Sequence, residues 1–229
     1  RFDRLAMSMI QAYLFGTGFA ASPPGGMTAF VKSAPHKDIP DIQLFARNGT
    51  YQVREWFPGI RPKAPDGFTL RACHLRPESR GSITLASNDP MAKARILNNF
   101  LQADEDRRVM RECVKIMRTI ARSKAFSHLA GDDVLPSSDV QTDDQIDAYV
   151  RENLATVYHP IGTCRIGSDP ESVVDMEFKV RGAEGLRVVD ASVMPDLVGG
   201  NINAPVMMIA EKASDIIRGK PALPAAEGV

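Results

Sequence analysis

Length, composition and charge restrict the classes of protein to which this chain can belong. The chain has 229 residues and a formal net charge of zero, which allows a substantial hydrophobic core in one large or two small domains. A chain without net charge lacks the long-range attraction to phosphate on which binding to nucleic acids and anionic membranes depends. We therefore expect a small-molecule substrate and no nucleic-acid partner.

The cysteines and the hydropathy pattern bear on the cellular location. Cys73, Cys113 and Cys164 are odd in number and scattered, which is typical of reduced thiols and predicts neither a disulfide framework nor a metal site. This favours the cytoplasm. No uninterrupted apolar run approaches the roughly 20 residues that cross a membrane as a helix. Because the chain starts at Arg1 rather than Met, we expect that its original N-terminus is missing and that any targeting region lies outside the sequence.

The first 26 residues predict a helix followed by turns. Apolar residues recur at helical spacing between Phe2 and Leu14, and glycines and prolines then follow at 16–18 and 23–26. The two glycines of 16–18 lack the third glycine and the preceding strand of a dinucleotide-binding loop. We interpret them as a turn.

Short alternating segments then predict a β-sheet. Four segments alternate apolar and polar residues as strands do: 29–31, 42–46, 68–75 and 82–86. The last two flank a turn at 79–81 and are predicted to pair as a hairpin, so we expect one mostly antiparallel sheet. The segment 47–67 contains three prolines and the single tryptophan without periodicity, and it is a candidate lid.

The second half of the chain predicts three helices and one strand. Apolar residues at helical spacing indicate a helix from Asp104 to about Ala125, with acidic residues in its favourable first turn. Thr142 and Gln145 have the spacing of a capping box at the start of the next helix. Residues 186–190 read as a short buried strand, and a closing helix with Pro205 in its first turn leads to a loose tail at 221–229.

Two polar residues in the last third suggest alcohol-oxidation chemistry. An imidazole such as that of His159 has an unperturbed pKa of about 6.5 and can accept a proton at neutral pH, while the amide of Asn203 can hold the oxygen that loses it. Each residue also has a structural interpretation. His159 can be a hydrogen-bonded histidine before Pro160, and Asn203 can be the N-cap of the closing helix.

Several motifs in a fixed order strengthen the chemical interpretation. The runs 158–165, 175–182, 185–195 and 201–211 resemble the C-terminal half of the glucose–methanol–choline (GMC) flavin oxidoreductases, close to the choline-dehydrogenase-like members. Upstream, 75–81 and 87–90 resemble the substrate-domain sheet of the same family. The resemblance covers nearly the whole chain.

The resemblance implies FAD as cofactor and an α+β fold. It implies a mostly antiparallel substrate-domain sheet covered by helices in residues 1–157, and a catalytic and FAD-contacting segment at 158–220. In the family, this segment returns as a strand and a helix into an FAD-binding α/β domain. The Rossmann part with its GxGxxG motif does not occur in this sequence, so we expect that the chain alone does not bind FAD tightly and works with an N-terminal FAD-binding half.

The resemblance also assigns roles to individual residues. His159 matches the catalytic base that takes the hydroxyl proton while hydride leaves for flavin N5, and Asn203 matches the residue that orients the substrate oxygen. The expected cofactor contacts are Tyr158, Asp190, Ala191, Asn201, Ala204, Pro205 and Val206. For Asp190 a role in capping the end of the predicted strand stays open, and for Asn201 a role in capping the closing helix.

The sequence is also compatible with other functions. A hydroxynitrile lyase can use the same scaffold and histidine without redox chemistry, and a non-enzymatic fragment or accessory subunit is a third possibility. His36, His74 and His128 have no metal-ligand spacing and are expected to be structural or solvated. Cys164 lies near His159 in sequence, but no acyl-transfer motif accompanies it, so we expect a packed thiol.

Overall fold

The computed structural model describes residues 1–21, 26–50, 53–221 and 224. The chain forms two compact units, one of residues 1–77 with 103–154 and one of residues 78–102 with 155–229. Residues 23–25 of the predicted turn and most of the predicted tail lie outside the described residues. The predicted division at 157 stays a prediction; the segment 78–102 packs with the second unit.

The first unit begins with a helix and a three-stranded sheet. Helix α1 spans Phe2–Phe15 and ends at Gly16, whose φ of 63° is the left-handed conformation of a helix C-cap. The strands are β1 (Met27–Val31), β2 (Ile42–Asn48) and β3 (Phe68–His74), in the antiparallel order β1-β2-β3. The predicted helix and three predicted strands are thus confirmed.

Two helices complete the first unit. Helix α2 spans Asp104–Ala121 and packs on β3, while α3 spans Asp143–Asn153 and packs on α2. Buried Ile42 and Leu44 of β2 contact Val109 and Cys113 of α2, and these four residues form the core of the unit. An amphipathic helix therefore covers one face of the sheet, as predicted.

The predicted hairpin between 68–75 and 82–86 is wrong. Strand β3 pairs with β2 over seven residues, whereas β4 (Ser82–Thr84) pairs with β5 (Arg95–Leu97) in a separate two-stranded sheet of the second unit. Alternation indicates which face of a strand is buried but does not name its partner. β5 was not predicted, because it has only three residues and all of them are exposed.

The predicted strand at 186–190 is also wrong. In the described residues this segment makes an isolated bridge between Lys179 and Arg187, supported by bonds from Val180 N–H to Leu186 O (3.0 Å) and from Val188 N–H to Phe178 O (3.1 Å). The chain then enters a 3-10 turn at Ala191–Val193. Backbone groups that would have continued a strand ladder are hydrogen-bonded within this turn instead.

Helix α4 (Asn203–Ile217) is the predicted closing helix, and it packs on the second core. The buried members of this core are Val174, Phe178, Val193 and Ala213. Ala213 contributes the buried face of α4. Across the described part of the chain, no helix has both the length and the apolar character needed to cross a membrane.

Candidate active site

His159 lies on a loop that follows α3, and the residue before it has an unusual backbone. Tyr158 has a φ of 62°, which is uncommon for a residue other than glycine. Its N–H donates to Thr156 Oγ1 at 3.0 Å, and this bond closes a turn just before the histidine. Tyr158 is 81% exposed and His159 is half-buried, so the imidazole stays accessible beside an ordered turn.

The downstream side of this loop is bound to a second segment. Cys164 N–H donates to Ser192 O at 3.0 Å, and Ile166 N–H donates to Val193 O at 2.9 Å. Gly162 has a φ of 86°, and a Cβ there would lie 3.7 Å from Met194 O. Residues 156–166, which we call the His159 loop, therefore have hydrogen bonds on both sides of the histidine.

The second segment, residues 190–194, is a tight turn that we call the Asp190 turn. Asp190 Oδ1 accepts from Ser192 N–H at 2.7 Å, and Asp190 O accepts from Val193 N–H at 3.2 Å. The strand whose end Asp190 could cap does not form, and the Asp190 carboxylate caps the 3-10 turn instead. This carboxylate is exposed and Ala191 is half-buried beside it.

Asn203 is the first residue of α4 but does not cap it. The N-cap residue is Ile202, and no side chain caps this helix. The capping interpretations of Asn203 and Asn201 are therefore wrong. Both side chains are exposed, so the Asn203 amide is open to a ligand.

The start of α4 also offers main-chain donors. The first helical bond runs from Val206 N–H to Ile202 O at 2.9 Å. The N–H groups of Asn203 and Ala204 precede it and lie outside the helical ladder, and Pro205 has no N–H. Such a helix start favours an anionic group.

These segments meet in one core. Ile166 of the His159 loop, Val193 of the Asp190 turn and Ile209 of α4 all pack in the cluster around Val174 and Ala213. The structure therefore brings together, in one unit, the segments that carry all the predicted site residues.

Arg165, near the end of the His159 loop, forms an ion pair with Asp169. Arg165 donates two hydrogen bonds of 2.8 Å to Asp169, and these bonds lower the pKa of that carboxyl to about 2. Both residues are therefore charged at neutral pH, and their charges offset each other a few residues from the histidine.

Thr156 and Ser192 were not predicted from the sequence. A Thr two residues before Tyr158, and an Asp two residues before Ser192, have the spacing of side-chain-to-backbone turns. That spacing is common in loops, which is why it does not identify a functional turn by itself.

The remaining candidates lie elsewhere. The His74 side chain is 8% exposed, with its Nδ1 3.7 Å from Asp106 Oδ1, and His36 and His128 are exposed. In the ranges that the structure describes, no three His, Cys, Asp or Glu side chains are grouped to hold a metal ion. Cys164 is half-buried, and its thiol is free.

Comparison with known proteins adds independent evidence. A family model described as GMC oxidoreductase matches residues 77–210, a range that contains His159 and Asn203. The chain is 42% identical over 215 residues to an oxygen-dependent choline dehydrogenase of Rhizobium rhizogenes, covering 93% of this chain and 38% of the relative. It is also 42% identical over 207 residues to an alcohol dehydrogenase [acceptor] of Pseudomonas putida, covering 90% of this chain and 37% of that protein.

This chain is also similar to a solved structure. A formate oxidase of Aspergillus oryzae, in which FAD modification was studied, superimposes with a TM-score of 0.71 at 30% identity, covering 80% of this chain and 32% of that chain. The chain thus spans a little over a third of the length of the curated relatives it matches.

Proposed function

Because the chain belongs to the GMC oxidoreductase family, we propose that it is the alcohol-oxidising part of an FAD-dependent enzyme acting on primary alcohols. The observation that carries the proposal is the arrangement in the second unit. His159 and Asn203 both lie in the range matched by the family model, and their segments pack on one core. Residues 1–157 contribute the substrate-binding portion in this proposal, and 158–220 the catalytic portion.

His159 is the proposed base. It takes the proton of the substrate hydroxyl, because the alkoxide that then develops releases hydride from its carbon more readily than the alcohol does. The main chain of the loop that carries it is held by the Thr156 hydroxyl before the histidine and by backbone bonds after it, which reduces the ordering needed at the moment of reaction.

Asn203 is the proposed ligand of the substrate oxygen. Its amide can donate to the oxygen without competing for the proton, and it stabilises the negative charge that develops there. The absence of a side-chain cap on α4 supports this role, since the amide is not engaged with the helix backbone.

The residues present fit FAD, the cofactor of this family. FAD accepts the hydride when it is bound. The exposed start of α4 supplies N–H groups of Asn203 and Ala204 and a positive helix end, which suit the negative charge of a reduced flavin. Pro205, Val206, Asn201 and Tyr158 are the further proposed contacts. For Asp190 and Ala191 we propose main-chain contacts, because the Asp190 carboxylate is bonded to Ser192 N–H.

We propose further that the chain acts with an FAD-binding half, either joined to it or as a separate chain. The proposed location is the cytoplasm, based on three scattered cysteines whose thiols are all free. Choline is named in the relative of Rhizobium rhizogenes and is the first alcohol to test.

The test is a single-turnover experiment on the flavin-loaded enzyme without oxygen. Replacing a catalytic base typically slows the reaction about 100- to 10,000-fold, so His159→Ala should slow flavin bleaching by an alcohol to that extent. His128→Ala is the matched control, because that histidine is exposed and lies in the other unit. Unchanged bleaching in His159→Ala would overturn the assignment.

The same experiment decides between the alternatives. A lyase would release cyanide from a cyanohydrin without any change in flavin absorbance. An accessory subunit would leave the rate of its FAD-binding partner unaltered when His159 is replaced.

A further inference from the structure

A hydrogen-bonded relay connects the Asp190 carboxylate to the His159 loop through the main chain of Ser192. Asp190 Oδ1 accepts from Ser192 N–H at 2.7 Å. The carbonyl of Ser192 in turn accepts from Cys164 N–H at 3.0 Å. Both bonds involve the main chain of Ser192. The Asp190 carboxylate therefore restrains the residue whose carbonyl holds the His159 loop.

The loop has a second fixed point on the other side of the histidine. Thr156 Oγ1 accepts from Tyr158 N–H at 3.0 Å, and Tyr158 has a φ of 62°. Residues other than glycine disfavour a positive φ, so the surrounding structure must hold Tyr158 in this conformation. The Thr156 hydroxyl is the described group that does so directly.

We propose that Asp190 and Thr156 are positioning residues that hold His159 in its reactive orientation from opposite sides. This inference rests on the proposed function, since it concerns the base assigned above. Neither residue touches the reacting atoms in this scheme. Both act through the backbone of the His159 loop.

Both side chains lie outside the packed core of the unit. Asp190 and Thr156 are exposed, whereas the core of this unit is built by Val174, Phe178, Val193 and Ala213. Loss of either polar side chain therefore leaves the packed core intact. The same loss removes a restraint on the His159 loop, in which His159 is the only predicted catalytic residue.

The first test uses Asp190→Ala, Asp190→Asn and Thr156→Val in the flavin-loaded enzyme, compared at equal flavin content. A displacement of about 1 Å can cost about 100-fold in rate, so Asp190→Ala and Thr156→Val should slow flavin reduction about 10- to 100-fold. Asp190→Asn keeps the acceptor oxygen and should restore most of the rate. Asp196→Ala is the control, because that exposed aspartate lies in the same unit but outside the Asp190 turn.

The second test is a double-mutant cycle with His159→Ala. If the two residues act through the histidine, their replacement should slow the His159→Ala enzyme by less than twofold, since the base they position is already lost. Equal fold-losses in the two backgrounds would overturn the inference while leaving the base assignment intact. A His159→Ala enzyme with full activity would instead overturn the proposed function.

A third measurement does not depend on activity. Amide hydrogen exchange in the 229-residue chain should be faster at Cys164 in Asp190→Ala and at Tyr158 in Thr156→Val, with Val174 unchanged as a marker of the core. Unaltered exchange at both loop positions would overturn the inference. Thr156→Val keeps the shape of the side chain, so it also serves if Asp190→Ala folds poorly.

Discussion

Asn203 begins α4, yet its neighbour Ile202 occupies the N-cap position and leaves the Asn203 side chain without a capping bond. Asparagine is a favoured N-cap, and a real cap contributes about 1 kcal/mol relative to alanine. The residue type alone does not distinguish a helix cap from a ligand of the substrate oxygen, whereas the structure shows that this side chain does not cap the helix. Stability and catalysis should respond differently to its replacement.

We predict that Asn203→Ala lowers the free energy of unfolding by less than about 0.5 kcal/mol, the range of surface substitutions away from caps and cores. Flavin reduction and alcohol binding should both weaken in the loaded enzyme, because the oxygen ligand is lost. Urea unfolding of the chain and anaerobic flavin reduction measure the two effects. A loss of stability typical of a cap, with unaltered flavin reduction, would contradict the prediction.

The matched case is Thr142, a cap that the structure does show. Its Oγ1 accepts from Gln145 N–H at 3.3 Å, and its own N–H donates to Gln145 Oε1 at 2.9 Å. Thr142→Ala should lower the free energy of unfolding by about 0.5 to 2 kcal/mol. Urea unfolding of the two alanine variants side by side checks the contrast, and equal losses would show either that Asn203 caps α4 or that Thr142 does not cap α3.

The capping box illustrates what the sequence predicts well. Thr142 and Gln145 are three residues apart, so their interaction is local and requires no knowledge of the rest of the fold. The start of α4 is equally local, but the predicted cap at Asn203 is wrong. Pro205 lies in the first turn, where a missing N–H costs no helical bond, so the helix begins two residues before the proline and Asn203 enters it.

Pairing of strands depends on distant residues and was harder to predict. The alternation of 68–75 predicted β3, but not that β2 would supply its partner through the register of Ile42 with His74. The same limit applies to the site. The motifs identified His159 and Asn203 as candidates, whereas the bond from Cys164 to Ser192 joins residues 28 positions apart and becomes visible only in the folded chain.

Acid sensitivity of the first unit should depend on His74. Burial lowers the pKa of this histidine, against the opposing influence of Asp106, Asp41 and Glu105, while Lys37 lowers it further. The folded state therefore binds a proton less readily than the unfolded state. The stabilisation is fully present above the unfolded pKa of about 6.5 and is lost as the pH falls through the lower folded pKa.

We predict that the free energy of unfolding decreases between pH 7.5 and 5.5, by at most about 1.4 kcal/mol per pH unit for one proton. His74→Gln should flatten this dependence, and His128→Gln, at an exposed position, should not. Urea unfolding at several pH values gives the slopes. A wild-type chain that becomes more stable on acidification would contradict the sign of the expected effect.

Cys113 should be the least reactive of the three thiols. It is fully buried against Ile42, Leu44 and Val109 in the core of the first unit, and burial raises its pKa to about 12. Since the thiolate is the reactive form, the raised pKa and the burial of the thiol both make Cys113 unreactive at pH 8. Brief treatment of the native chain with iodoacetamide should therefore leave Cys113 unmodified while half-buried Cys164 reacts. Mass spectrometry of the peptides shows which cysteine is modified first. The same treatment in urea should modify both Cys113 and Cys164. Equal labelling of Cys113 and Cys164 in the native chain would mean that the contact between α2 and β2 opens far more readily than its packing implies.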